Sequence, residues 1–324
     1  MVRRRTTTIG LLATGLIALA SGACSILFST SKEQCATDDD CRARGAGFEG
    51  SKCSIDSVCV SSTPITPPVD GGAPDAVADA AVDPFACAKE PLPNPDPSRK
   101  VDLSIRYTDF TNGTPPTRTI VRLCAQTDSL CNNPRNTLEG NGTADAGPEG
   151  GTGFVNPKVD GTVTAKVEYG FEGFFELKSA DYLPTYRYTS PPLKASASFE
   201  QLVLRLSEVN YLSDTALGKP NSFDSVGHGV VFTFARDCNN QPLAGVSFTT
   251  TAQDPLLTLA YIINTTPSIV DKQTDALGRG GYLNVPPGLH TFTSEFAATK
   301  QRIGSARVLV RAGSATTIAI LPSP

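Results

Sequence analysis

The chain has no tryptophan, one methionine and two histidines among its 324 residues, and aromatic residues make up 7% of it. So few imidazoles leave little material for histidine-based acid–base or metal chemistry, the commonest routes to both. G-x-S-x-G, H-E-x-x-H, P-loop and C-x-x-C patterns are all absent, and no pair of carboxylates can be placed together from the sequence. There is no basic run beyond residue 5, and the net charge is −4. A chain with that balance has no means of displacing phosphate counterions, so nucleic acid is excluded as a partner. Long apolar runs are missing too, apart from one near the start.

That run is Ile9 to Ala20, preceded by Arg3-Arg4-Arg5 and followed by Ser21-Gly22-Ala23-Cys24. A bilayer-spanning helix needs about 20 apolar residues, so twelve suit the core of an export signal. Small residues at Ser21 and Ala23 flank the expected cut. The stretch resembles a bacterial lipobox, in which the cysteine becomes the lipidated first residue; Ser21 departs from the leucine usual there. The resemblance implies a signal peptide over 1–23, a lipid anchor on Cys24, and residence at the bacterial outer membrane, on its periplasmic or surface face. The chain's −4 becomes −7 once the three leader arginines are removed.

Nine cysteines less Cys24 leave Cys35, Cys41, Cys53, Cys59, Cys87, Cys124, Cys131 and Cys238, an even set suited to disulfides in an exported protein. Cys35 to Cys59 follow C-x5-C-x11-C-x5-C within a module spanning 24–60. Zinc pairs sit closer together, so disulfides are expected there, with three connectivities open. Its order resembles short Cys-rich modules that follow the signal in bacterial surface lipoproteins. Gly45-Ala46-Gly47-Phe48-Glu49-Gly50 fits G-x-G-x-x-G but lacks the flanking strand and helix, so it is read as a turn. Asp38-Asp39-Asp40 lacks calcium-loop spacing and is read as an acidic turn. Residues 61–99 begin with a stretch rich in proline, aspartate and alanine, expected to be a disordered, extended linker. Cys124–Cys131 is expected as a local bond, and Cys87–Cys238 as a bond between two bodies.

Alternation of Val101, Leu103, Ile105 and Tyr107 with polar residues predicts a half-buried strand. Further strands are expected at 119–123, 163–169, 174–177 and 201–206, with a long loop over 132–157. These assign a first β-sandwich to 100–206. A short helix from Ser207, as N-cap, to Leu217, with Gly218 as its stop, would occupy a 207–226 connector. A longer helix from Ser198 competes, because Phe199, Leu202, Val203 and Leu206 also fit a 3.6 period. A second sandwich is expected over 227–324, with strands at 230–234, 244–248, 282–285, 289–296, 306–310 and 316–321.

The hairpin Asp237 to Val246 with Pro242-Leu243-Ala244-Gly245, the Thr274-Asp275-x-x-Gly278 turn and Val285-Pro286-Pro287-Gly288 resemble the carboxypeptidase-regulatory, or transthyretin-like, β-sandwich family. The resemblance implies an all-β chain of two antiparallel Ig-like sandwiches serving as scaffold or binding modules, with no cofactor, metal or catalytic residue to transfer. His228, between two glycines, is read as a turn residue, and His290 as a packed sheet histidine. Seven aromatics lie between 169 and 188. Core packing is the first reading of them; as a binding face they would offer Tyr169, Phe171, Tyr182, Tyr186 and Tyr188 to a protein or glycan partner. The function expected is that of a non-catalytic binding or display module at a bacterial envelope, with a structural spacer or a hydrolase as alternatives.

Overall fold

The computed structural model describes residues 36–42, 51–53, 59–61, 83–135, 137–141 and 155–323. The export signal, Cys24, Cys35, the Gly45–Gly50 loop and most of the 61–99 linker lie outside the described residues. The chain divides into two units, Met1–Ala78 and Asp79–Pro324.

The first unit holds helix α1 (Asp38–Arg42) and a hairpin of β1 (Ser51–Cys53) and β2 (Cys59–Ser61). The acidic triplet, read from the sequence as a turn, forms the first turn of this helix, and its Asp40 caps it. Asp40 Oδ2 accepts the backbone N–H groups of Ala36 and Thr37, each at 2.8 Å, and Asp38 Oδ1 accepts that of Cys53. The Asp40 carboxylate thus satisfies donors at the helix start that would otherwise lack partners, while Asp38 ties the helix to β1. Cys53 is disulfide-bonded.

The second unit is nearly all β. In chain order it runs β3 (Asp96–Asp109), β4 (Thr119–Ala125), β5 (Leu138–Glu139), β6 (Thr162–Tyr169), β7 (Gly173–Ser179), β8 (Thr185–Thr189) and β9 (Ala197–Val203). Helix α2 (Leu206–Leu217) follows. Then come β10 (Gly229–Ala235), β11 (Val246–Thr250), β12 (Thr258–Ile263), β13 (Thr266–Ser268), β14 (Arg279–Val285), β15 (Gly288–Phe296), β16 (Arg302–Val310) and β17 (Ala315–Ile320).

The predicted alternation in β3 is realised, with Val101, Leu103, Ile105 and Tyr107 all buried. Several elements differ from the sequence reading, among them the unpredicted β8. Strand β9 starts at Ala197 and stops at Val203, which excludes the longer helix from Ser198. The helix N-cap is Arg205 rather than Ser207, because Glu208 reaches back to accept the Arg205 N–H at 2.6 Å. The 132–157 stretch carries the short strand β5, and Val155 bridges to Val121. The β12–β13 hairpin, turning on Asn264 (φ 49°) and Thr265 (φ 72°), was not expected.

One sheet joins the two predicted sandwiches. Its order is β13-β12-β14-β10-β17-β8-β7-β4, with the C-terminal β17 inserted between β10 and β8. Both neighbours of β17 run parallel to it, and β3 and β9 pair in parallel as well, so the sheets are antiparallel with three parallel exceptions among the described residues. The remaining strands form a four-stranded sheet, β5-β6-β3-β9, and a three-stranded sheet, β11-β15-β16.

These smaller sheets cover opposite faces of the long one. Phe175 and Leu177 of β7 point into a core with Leu103, Ile105 and Val163 of the four-stranded sheet. Their neighbours Phe174, Tyr186 and Tyr188 point the other way, into a core with Phe292 and Val308 of the three-stranded sheet. Successive strand residues must diverge like this. Helix α2 lies on the same face as the four-stranded sheet: its Val209 and Ala216 pack with Val230, Leu283 and Ala315, and Ala315 pairs with Thr185, the residue before Tyr186. Turns follow the residue types that favour them. Gly278 has φ +65°, and a Cβ there would meet the Ala235 carbonyl oxygen at 2.6 Å, so the Thr274–Gly278 turn requires glycine.

Candidate functional site

The aromatic concentration lies largely inside the molecule. Phe171, Tyr182, Tyr186 and Tyr188 are each less than 10% exposed. Tyr186 Oη donates to Glu176 Oε1 at 2.9 Å, and Glu176 is itself ion-paired with Arg122. Tyr188 Oη donates to the Leu309 carbonyl and accepts the Leu309 N–H. Arg311 lies over the Tyr186 ring at 3.9 Å. Tyr169 is half-buried and is stacked by Arg99 at 3.8 Å. Rings so enclosed have little free face to stack on a ligand.

Tyr182 belongs to a second buried network. Its Oη donates to Asp109 Oδ2 at 2.6 Å, and Arg205 donates to the same oxygen at 2.5 Å. Burial pushes the Asp109 carboxyl up, but hydrogen bonds from Tyr182, Arg205 and the Asn112 and Thr111 amides outweigh it and hold the group at about 2. Arg205 also pairs with Glu208, so this network fastens α2 to the four-stranded sheet. Every charge in it is answered. It holds structure together.

A different arrangement lies where the four-stranded sheet ends. Strand β9 is the outermost strand of that sheet, and beyond it a stretch of the long sheet's face is left open. A cleft of about 380 Å³ runs there between β9, the Ser190–Leu193 loop and the Cys87–Cys238 disulfide. A second cavity of about 240 Å³ continues it toward Phe234 and Arg236; the two share Arg187, Ser198, Phe199 and Asn240. The floor is set by register. Arg187 of β8 stands beside Thr317 of β17, and one rung on Ala319 stands beside Phe234 of β10, which faces Arg279 of β14.

Arginines dominate this floor without acidic partners. Arg187 is 7% exposed, makes no ion pair among the described residues, and its Nε has no hydrogen-bond partner. Its guanidinium stacks on Phe199 at 4.9 Å. Burial, and then repulsion from Arg236, bring it down to about 10. Arg236 lies 5.6 Å from the Phe234 ring and is lowered by burial and by Arg279, against a raising pull from Asp237. The Asp237 carboxylate is occupied by the Asn239 and Gln241 amides. Arg279 leaves Nε and Nη2 unpartnered. The acid at the rim is Glu200, exposed and in no ion pair among the described residues. Tyr107 Oη and Gln201 Oε1, also buried, lack hydrogen-bond partners too. An unanswered cationic floor of this kind can take an oxyanion, since guanidinium groups offer forked donors matched to carboxylate and phosphate. Sequence reasoning missed it, because a single arginine in a strand does not reveal which partner it lacks.

The two histidines are both engaged. His228 contacts Asp224 Oδ2 through Nδ1 at 2.8 Å and Asp254 Oδ2 through Nε2 at 3.3 Å. Burial lowers its affinity for a proton, and the two carboxylates more than restore it, so the net shift is upward. With both nitrogens facing acids the imidazolium has no lone pair to lend. His290 Nε2 donates to the Pro286 carbonyl at 2.9 Å. Cys87–Cys238 and Cys124–Cys131 are both formed, with Cα atoms 5.7 and 5.4 Å apart. Among the described residues, no group of three or more His, Cys, Asp or Glu could hold a metal ion, and no helix is long and apolar enough to cross a membrane.

No protein-family model matches the chain, and no curated protein matches it. Solved structures do. The Bacillus anthracis TIE protein aligns at 12% identity and a TM-score of 0.19, over 69% of this chain and 34% of that one. The chain therefore spans about a third of that protein's length. Shaft pilin SpaA from Lactobacillus rhamnosus GG aligns at 8% identity and a TM-score of 0.20, over 70% and 99%. The family 26 carbohydrate-binding module CBMbc from Eubacterium rectale Amy13K, solved with maltoheptaose, aligns at 13% and 0.21, over 68% and 92%. Likeness at this level carries no ligand or activity across.

Proposed function

We propose that this chain is a non-catalytic binding module, exported and tethered through Cys24 at a bacterial envelope, and that the cleft under β9 is where it binds an anionic ligand. The observation that supports this most is Arg187: a guanidinium nine-tenths buried, stacked on Phe199, with an unpartnered Nε and no ion pair among the described residues. A buried charge without a partner is costly, and one lying in an open cleft gains its partner on binding. The tether rests on the lipobox resemblance and on the cysteine pattern. Titrating the full chain with sodium glucuronate and with phosphate, while following arginine side-chain resonances, should shift Arg187 and Arg236 together. Resonances unmoved by either anion would count against the site. Metabolic labelling with a fatty-acid precursor should mark the wild type and fail in Cys24→Ser.

A second reading, a structural spacer, draws on a different observation. Because β17 pairs with both β10 and β8, the two sandwiches are hydrogen-bonded into one sheet rather than strung on a linker. Such a unit would suit load-bearing display. An unchanged partner profile after Arg236→Ala would favour it.

A further inference from the structure

The binding reading leaves open what carries the anion. We propose that it is an extended acidic peptide, which adds to β9 as a fifth strand of the four-stranded sheet and seats its carboxylates on the arginine floor. This rests on the cleft being the binding site, and it names the partner class.

Strand β9 pairs with β3 on one side and, among the described residues, with nothing on the other. From Ala197 to Gln201 its outer edge makes no main-chain hydrogen bond beyond the β3 ladder among the described residues. A bare edge of this kind is a template for another chain, and proteins that must avoid such pairing cover, twist or charge the edge. Here no further strand covers it among the described residues, and its single charged side chain, Glu200, is exposed at the cleft rim. A strand added at the usual spacing of about 4.8 Å would lie over the uncovered floor. Its side chains would alternate, every second one pointing down. At the floor those side chains would meet Arg187 and Arg236, with Phe199 and Phe234 beside them. Carboxylates at the downward positions would answer the unpaired guanidiniums, and apolar groups would cover the rings. A glycan could also present carboxylates, but it would not use the strand edge. The edge therefore favours a peptide.

The test uses the full chain and three probes: acetyl-(Val-Glu)3-amide, acetyl-(Val-Gln)3-amide and tetragalacturonate. Replacing Arg187 would remove the reporter itself, so Arg236→Ala serves as the variant and the Arg187 Nε–H resonance as the reporter. We expect the Val-Glu peptide to bind, the Val-Gln peptide to bind at least about tenfold more weakly, and Arg236→Ala to lose a similar factor, in keeping with a charge-assisted hydrogen bond. Amides between 197 and 202 should gain protection from hydrogen exchange in the complex. Peptide binding without that protection would overturn strand addition. Tetragalacturonate shifting the Arg187 reporter while the peptide does not would also overturn it, though the binding site would stand. Silence of the reporter with all three probes would remove both.

Discussion

The two faces of the long sheet carry buried arginines with opposite fates. On the face toward the three-stranded sheet, Arg122 is ion-paired with Glu176, which also accepts from Tyr186, while Arg311 stacks on Tyr186. One residue further along β8, on the other face, Arg187 makes no ion pair among the described residues, and its neighbours Arg236 and Arg279 are themselves cations. The two faces belong to the same strands and the same sequence texture. What separates them is cover: one is closed by a packed sheet, and the other is open beyond β9. Closed faces require internal pairing of charge, because nothing else can reach them. An open cleft can leave charge for a partner. This is why the unpaired arginines, rather than the aromatic cluster, mark the site.

The largest expected effect concerns the two disulfides, which also divide between the faces. Cys124 belongs to the closed core, whereas Cys87–Cys238 borders the cleft. The cleft bond spans 151 residues and the other spans 7. In the chain-entropy model those loops are worth about 5 and about 2.4 kcal/mol. Replacing both cysteines of each pair with alanine should therefore cost more at Cys87–Cys238, read by denaturant unfolding of the otherwise intact chain. Equal losses, or the reverse order, would mean that the cleft's wall is not held by this bond.

Next comes a direct contrast between the faces. Glu176→Ala strips Arg122 of its ion pair and Tyr186 of its acceptor in a closed core, and should destabilise the protein by about 3 kcal/mol. Arg187→Met removes a buried charge that has no partner, so it should cost less than about 1 kcal/mol or even stabilise, while abolishing anion binding. Paired urea titrations measure the difference. If Arg187→Met proved as damaging as Glu176→Ala, the guanidinium would have a structural partner, and the contrast would collapse.

The sequence made one kind of element legible and hid another. Strand β3 could be read because one of its faces is solvated, so Val101, Leu103, Ile105 and Tyr107 alternate with polar residues. Strand β8, Thr185 to Thr189, is buried at all five positions, because it runs inside the long sheet with one face under the three-stranded sheet and the other at the foot of the cleft. It showed no alternation and registered as an aromatic concentration instead. The β12–β13 hairpin escaped because Asn264-Thr265 takes a turn that usually advertises itself with asparagine–glycine. The end of β9 was ambiguous because Phe199, Leu202, Val203 and Leu206 satisfy two periods at once, and Arg205 is not a residue type that signals a cap. The arginine site was least legible of all. Arg187 sits beside Thr317 only through a pairing between strands 130 residues apart, and local pattern carries no trace of that. The Thr274–Gly278 turn was readable for the opposite reason: its glycine requirement is local.

The smallest effect comes from a third buried cation, which marks the far limit of the contrast. Where Arg187 has no carboxylate, His228 has two, Asp224 on Nδ1 and Asp254 on Nε2, and its side chain is 11% exposed. Burial disfavours its proton, the two acids favour it more, and the folded-state affinity is raised above the ordinary 6.5. A raised folded value means that the clamp stabilises fully below about pH 6.5 and loses its contribution as pH climbs through the folded value. Asp224 is lowered first by the Gly227 amide and Asp254 by the Leu256 amide, each with help from His228, so their contribution is present above about pH 4 and fades as pH falls through the lowered values. The window in which all three groups are charged therefore runs from about pH 4 to somewhat above 6.5. His228→Gln should melt below the wild type inside that window, and the gap should narrow by pH 9. A gap that widened with pH would show the ring to be held neutral. His228 would then resemble the unpartnered arginines rather than oppose them.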